Sequence, residues 1–255
     1  MILLVIIGGD CMILNNDELK LYRGEDYIIT DYIRIHQPTL NEICDYGEKE
    51  YFSMVHTLTA TPQNLKFQLW DMGIDYTEIT PYELFYSILY KMFSQEQTSI
   101  LFGDLDLTKF EVFQNKKSGL VFMKQEDIII DEYVYNLIMN YLRGVHNIKK
   151  DEWMPMNNST KMMLIEDDRE AYLINKEKEH HSQLKNLIST MINSEGFKYN
   201  HSQVWEMKIN AFMDSVKRLS HIKNADLLLQ SGYSGFGISF KDIKNKKQLD
   251  YFGEL

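Results

Sequence analysis

The chain has 255 residues, 44% hydrophobic, 25% charged and 13% aromatic, and its 37 Asp and Glu against 27 Lys and Arg give a net charge of −10. A chain this long buries roughly 70–75% of its extended surface without a disulfide or metal staple, and 16 Tyr, 13 Phe and 14 Met exclude a disordered, collagenous or low-complexity polymer. The charge has the wrong sign for binding nucleic acid through its phosphates.

Cys11 and Cys44 lack partners at framework or ligand spacing and read as reduced thiols of a cytosolic protein. No run approaches the ~18 apolar residues of a membrane span. The opening apolar run, residues 1–7, lacks a basic flank and a small-residue cleavage site. A second methionine follows at Met12, so residues 1–11 read either as a leader upstream of the true start or as a short buried strand. Residues 1–100 carry 6 basic and 15 acidic side chains. Such an acidic surface either favours a basic partner or serves solubility.

Residues 18–22 and 27–35 alternate apolar and polar side chains around Arg23-Gly24-Glu25-Asp26, the pattern of a half-buried hairpin. Thr39 with Glu42 forms a capping box. It opens a helix whose inward stripe runs through Leu40, Ile43, Cys44, Gly47, Tyr51, Met54, Val55 and Leu58. Gly47 costs such a helix ~1 kcal/mol relative to Ala and marks close packing. Thr61-Pro62 starts a second helix, with Pro where its missing N–H costs nothing, and Gly73 ends it. Thr80-Pro81 with Glu83 starts a third, whose stripe is Leu84, Phe85, Ile88, Leu89, Met92 and Phe93. That helix also spaces Tyr82, Tyr86 and Tyr90 by four residues, either as an aromatic docking stripe or as core.

Residues 99–102, 109–114, 119–123 and 127–130 read as short strands, with Asn115-Lys116-Lys117-Ser118 as a hairpin loop. Asp131 caps a helix that Gly144 closes. Residues 166–179 read as a charged, solvent-facing helix, and residues 184–192 as an amphipathic one ending before Gly196. Trp205, Ile209, Phe212, Val216 and Leu219 form a near-heptad seam that packs internally or takes a partner helix. A further helix ends at Gly232, followed by the flexible stretch 233–237 and a basic tail containing Lys241, Lys244, Lys246 and Lys247. The expected fold is α+β: an N-terminal β-hairpin plus helices with a small antiparallel sheet, then a mainly helical C-terminal part. The divisions are an α+β domain over 12–145, a linker over 146–160 and a helical region with its basic tail over 161–255.

Catalytic motifs are sparse. Asp104 and Asp106 could offer hard oxygens to a divalent cation from a turn between strands, but Asp-x-Asp is common by chance. Gly8-Gly9-Asp10 lacks phosphate-loop spacing, and in Gly232-Tyr233-Ser234-Gly235 the second Gly comes one residue early for a nucleophile elbow. His180 and His181 are adjacent and cannot share a metal from one helix face. His36, His56, His146, His201 and His221 are isolated in sequence. Glu166-Asp167-Asp168 reads as a solvated face. No cofactor or metal site is expected.

Several segments carry a family likeness. They are Tyr32-Ile33-Arg34-Ile35-His36-Gln37-Pro38-Thr39-Leu40-Asn41-Glu42-Ile43 with Gly47-Glu48, Leu69-Trp70-Asp71-Met72-Gly73-Ile74-Asp75-Tyr76, and Tyr82-Glu83-Leu84-Phe85. Asp214-Ser215-Val216-Lys217-Arg218-Leu219 and Gly232-Tyr233-Ser234-Gly235 extend it. On these residues the chain from Met12 onward resembles an uncharacterised family of phage and prophage proteins of Gram-positive-type hosts. Within it the chain is most similar to the tail assembly chaperone-type proteins encoded beside the tape measure. The resemblance implies a non-enzymatic morphogenesis protein in the host cytoplasm, binding a phage tail protein such as the tape measure, with no nucleic acid, no membrane and no transferable active site. The alternatives are a structural virion protein of tail or baseplate, and a metal-dependent enzyme using Asp104 and Asp106. Tyr82, Tyr86, Tyr90, Trp205, Ile209 and Phe212 are the candidate partner-binding residues.

Overall fold

The computed structural model describes residues 4–7, 10–13, 18–176, 178–179, 181–234, 237, 243 and 245–251. The opening apolar run is a strand: β1 (Leu4–Ile7) pairs antiparallel with β2 (Asp10–Ile13), Leu4 opposite Ile13. Gly8 and Gly9 between them lie outside the described residues.

The hairpin expected over 18–35 is corrected. Residues 18–22 form a short helix, α1 (Glu18–Tyr22), and the pairing is confined to β3 (Tyr27–Ile28) against β4 (Arg34–Ile35). Glu, Leu and Lys are good helix formers, and alternation over five residues is too short to overrule them. The alternation of residues 27–35 is nevertheless real. Tyr27, Ile29, Ile33 and Ile35 are all buried, but the segment folds back on itself where Thr30 Oγ1 accepts from Ile33 N at 3.0 Å. The Gln37 side chain donates to Leu21 O and Glu25 O at 2.9 and 2.8 Å, tying α1 to the strand pair.

The helix expected over residues 39–58 is two helices, α2 (Leu40–Tyr46) and α3 (Glu48–Leu58). The Thr39–Glu42 capping box is present. Gly47 sits at φ +105°, a conformation that ends α2. It is a break rather than a packing gap, and Cys44 faces solvent. A 3₁₀ turn (Pro62–Asn64) precedes α4 (Lys66–Asp71), and Gly73 at φ +76° follows as expected. Thr80 and Glu83 box the start of α5 (Pro81–Ser87), which stops at Ile88. Residues 99–102 belong to a helix, α6 (Gln95–Phe102), rather than to a strand. Ser94 and Gln97 supply a capping box just upstream, a start signal that outweighs the apolar run after it.

The antiparallel sheet is β5 (Glu111–Gln114), β6 (Val121–Gln125) and β7 (Ile128–Ile130), in that order. Asn115 Oδ1 accepts from Lys117 N at 2.9 Å inside the expected loop. Asp131 caps α7 (Glu132–His146), which runs past Gly144 to end on Asn147 in the left-handed region. From its buried position Arg143 donates through Nε and Nη2 to Thr59 O at 3.2 and 2.6 Å, bolting α7 to the end of α3.

No regular element spans residues 148–157, and Asn157 Oδ1 accepts from Thr160 N at 2.9 Å to start α8 (Asn158–Lys176). This helix lies on α4, where Arg169 grips both oxygens of Asp71 at 2.7 Å and Lys161 reaches Asp75. After α9 (Gln183–Ile192) and a 3₁₀ turn (Val204–Glu206), α10 (Ile209–Ser234) runs 26 residues without a break at Gly232. It packs on α7, and Ile209 N donates to Pro38 O at 2.9 Å. One cluster of buried side chains links Ile33, Leu40, Tyr51 and Phe85 to Ile165, Ile188 and Phe212. The architecture is α+β, with small antiparallel sheets among helices and a helical C-terminal part.

Candidate functional site

The six candidate residues do not make one surface. Tyr82 is buried, and its hydroxyl donates to Ile130 O at 2.8 Å. Burial, then Asp131, pushes its pKa above the usual tyrosine value. Tyr90 is also buried and sits on a separate 3₁₀ turn (Leu89–Lys91), because the helix ends before it. Only Tyr86 reaches solvent, its ring 5.1 Å from that of Tyr82 and nearly perpendicular to it. Trp205 lies in the 3₁₀ turn ahead of α10 and is half-buried, while Ile209 and Phe212 are fully buried. The seam thus packs internally. Its heptad spacing reflects helix-on-core packing, in which Val216 and Leu219 lean on the same cluster.

What does open to solvent around Tyr86 is a groove of about 580 Å³ between α5, the start of α7 and the strand after the hairpin loop. Tyr82, Tyr86, Leu120, Val121 and Tyr133 form its apolar lining, and Glu83, Asp131 and Glu132 its acidic one. Two of these carboxylates are engaged at helix starts. Glu83 Oε2 accepts from Thr80 N at 2.7 Å and Asp131 Oδ1 from Val134 N at 2.9 Å. Glu132 is the lining carboxylate with no hydrogen bond or ion pair among the described residues. Leu120, 68% exposed, and Tyr133, 40% exposed, stand at the rim. The local chemistry is an aromatic trough beside a negative charge. It holds no nucleophile with a base beside it.

A second cavity, about 380 Å³, joins residues that look isolated in the sequence. His56 and His146 line it with Phe52, Leu184, Leu187 and Met213. His146 is buried, with Nδ1 2.7 Å from Leu142 O and Nε2 2.6 Å from the hydroxyl of the fully buried Tyr51. The carbonyl can only accept, so Nδ1 carries the proton and Nε2 accepts from Tyr51. Burial pushes His146 down to about 4, with His56 adding in the same direction and the Leu142 bond opposing. The imidazole is therefore neutral at neutral pH. Tyr51 and His146 are 95 residues apart, and no local motif signals their meeting.

The Asp104–Asp106 segment joins α6 to a 3₁₀ turn (Leu107–Lys109), not one strand to another. Asp106 Oδ1 accepts from Thr108 N and Oγ1 at 3.0 and 2.6 Å, and these bonds, with Lys109 nearby, hold its carboxyl below the usual range. Among the described residues no three His, Cys, Asp or Glu gather as metal ligands. His181 is exposed, whereas His180, Gly235, Phe236, Lys241 and Lys244 lie outside the described residues. No helix among the described residues is long and apolar enough to cross a membrane.

Residues 175–252 match the model of a family described as YomV second domain, a family of phage and prophage type. The similarity begins at the end of α8 and takes in α9 and α10. No curated protein and no solved structure matches the chain.

Proposed function

We propose that this chain is a non-enzymatic phage morphogenesis protein, a tail assembly chaperone that binds a tail component such as the tape measure protein in the host cytoplasm. The observation that carries this reading is the trough between α5 and α7. Its aromatic walls, apolar rim and Glu132 suit an apolar segment flanked by Lys or Arg. The acidic surplus of the first hundred residues steers the same kind of partner. Exposed Met72, Met156 and Met163 add adaptable apolar surface along the α4–α8 side. The family match in the C-terminal part agrees with a phage setting.

The test is co-expression with the tape measure protein. Co-purification and a gain in that protein's solubility are expected, both reduced by Tyr86→Ala. No co-purification and no gain would defeat the proposal. A chaperone is also absent from purified particles, and retention there would favour a structural virion component.

A further inference from the structure

The β5–β6–β7 sheet has one covered face and one open face. Met123 and Ile130 point into the core and are fully buried. On the opposite face Phe113 and Ile129 are each 42% exposed, and the Phe113 and Phe122 rings stack at 5.8 Å and 21°. β5 is the terminal strand, and all four of its residues are exposed.

The ladder determines which backbone groups of that strand are free. Asn115 N donates to Leu120 O across the hairpin at 2.8 Å. Antiparallel bonding alternates, so Glu111 and Phe113 also turn their N–H and C=O toward β6, opposite Lys124 and Phe122. Val112 and Gln114 turn theirs outward, and among the described residues nothing bonds to them. The strand carries no Lys, Pro or bulge, and its one charged side chain, Glu111, stands at its start.

The segment Glu-Val-Phe-Gln is complementary to itself when read antiparallel. With Phe113 on a two-fold axis, Val112 of one copy and Gln114 of the other exchange both backbone bonds. Phe113 then faces Phe113 of the second copy as the close, non-hydrogen-bonded pair, extending the Phe113–Phe122 stack across the axis. Glu111 falls opposite Asn115 of the second copy, one residue from its Lys116, and no like charges face each other within the strand.

We propose that β5 is a homotypic docking strand, through which two copies of this chain join their sheets edge to edge into one continuous sheet. The contact is small, so the dimer is weak, with a Kd on the order of 10 μM. Sedimentation equilibrium across that concentration range reads it directly. Val112→Pro removes an outward N–H and none of the bonds to β6, and it is expected to weaken the dimer at least ~10-fold while circular dichroism stays unchanged. With Cys11 and Cys44 replaced by Ser, Phe113→Cys is expected to cross-link to a disulfide dimer under mild oxidation, and Glu111→Cys is not. A wild-type chain that stays monomeric throughout overturns the proposal. So does a dimer that persists in Val112→Pro and yields no Phe113→Cys cross-link, since it then forms elsewhere.

Discussion

The buried imidazole of His146 makes a quantitative claim about acid stability. In the unfolded chain a histidine titrates near 6.5, whereas in the fold His146 is held at about 4. Because the folded value is the lower one, the unfolded state binds more protons between these limits, and stability must fall as pH falls from about 6.5 to about 4. A shift of that size corresponds to about 3 kcal/mol across the window, at 1.36 kcal/mol per unit. Most of the loss comes above pH ~4.5, before the carboxylates held low by their partners, Glu42, Asp75 and Asp106, begin to protonate. His56, which lines the same cavity, is also pushed down by desolvation, so it adds to the same trend. Urea unfolding at a series of pH values measures the effect, and an m-value near ~3 kcal/mol per molar turns it into a midpoint drop of about 1 M. His146→Gln keeps a donor for Leu142 O and an acceptor for Tyr51 without titrating, so its profile should be much flatter. A wild-type midpoint constant from pH 7 to 5, or a His146→Gln profile of equal slope, would refute the assignment of His146 as a buried neutral group.

Phe212→Ala should cost about 3–5 kcal/mol in chemical denaturation, because Phe212 is fully buried. A loss below ~1 kcal/mol would return the seam to a partner-binding role. Gly47→Ala should lower stability by about 1 kcal/mol through backbone strain at φ +105°. The new Cβ meets only the movable Glu50 carboxylate at 2.6 Å, and an unchanged melting temperature would argue against this helix break. Thr80→Ala should cost about 1 kcal/mol, since its hydroxyl accepts from Glu83 N at 3.1 Å; equilibrium unfolding checks it. In the groove, Tyr86→Ala should weaken capture of the tail component in co-purification, while Tyr86→Phe, which keeps the ring packed on Tyr82 and the core, should leave stability near wild type. Tyr82→Phe, which deletes the bond to Ile130 O, should lower stability more than binding.

The features legible in the sequence are those set by a few neighbouring residues. Thr39 with Glu42, Thr80 with Glu83 and Asp131 announce helix starts because each satisfies backbone donors within its own first turn. The hairpin loop at Asn115 is legible for the same reason. Apolar spacing misleads where it fits both periods. Residues 99–102 look like a strand until the Ser94–Gln97 box is weighed, and residues 18–22 alternate over too short a span. Gly47 and Gly232 both sit in apolar patterns, but only Gly47 takes a positive φ, and the sequence around them does not separate the two. The candidate site was less accessible still. Tyr82, Tyr86 and Tyr90 are spaced for one helix face, yet the helix ends between Tyr86 and Tyr90. The groove is built by elements about 50 residues apart, and the Tyr51–His146 bond joins positions 95 apart.

One helix connects both openings. The start of α7 supplies Glu132, Tyr133 and Asn136 to the groove, and its last residue, His146, lines the other cavity. Fifteen residues of helix span roughly 22 Å, so the two openings sit at opposite ends of a single rod. Following the His146 resonances while the trough is filled would therefore measure, without any label, how rigidly that rod joins them.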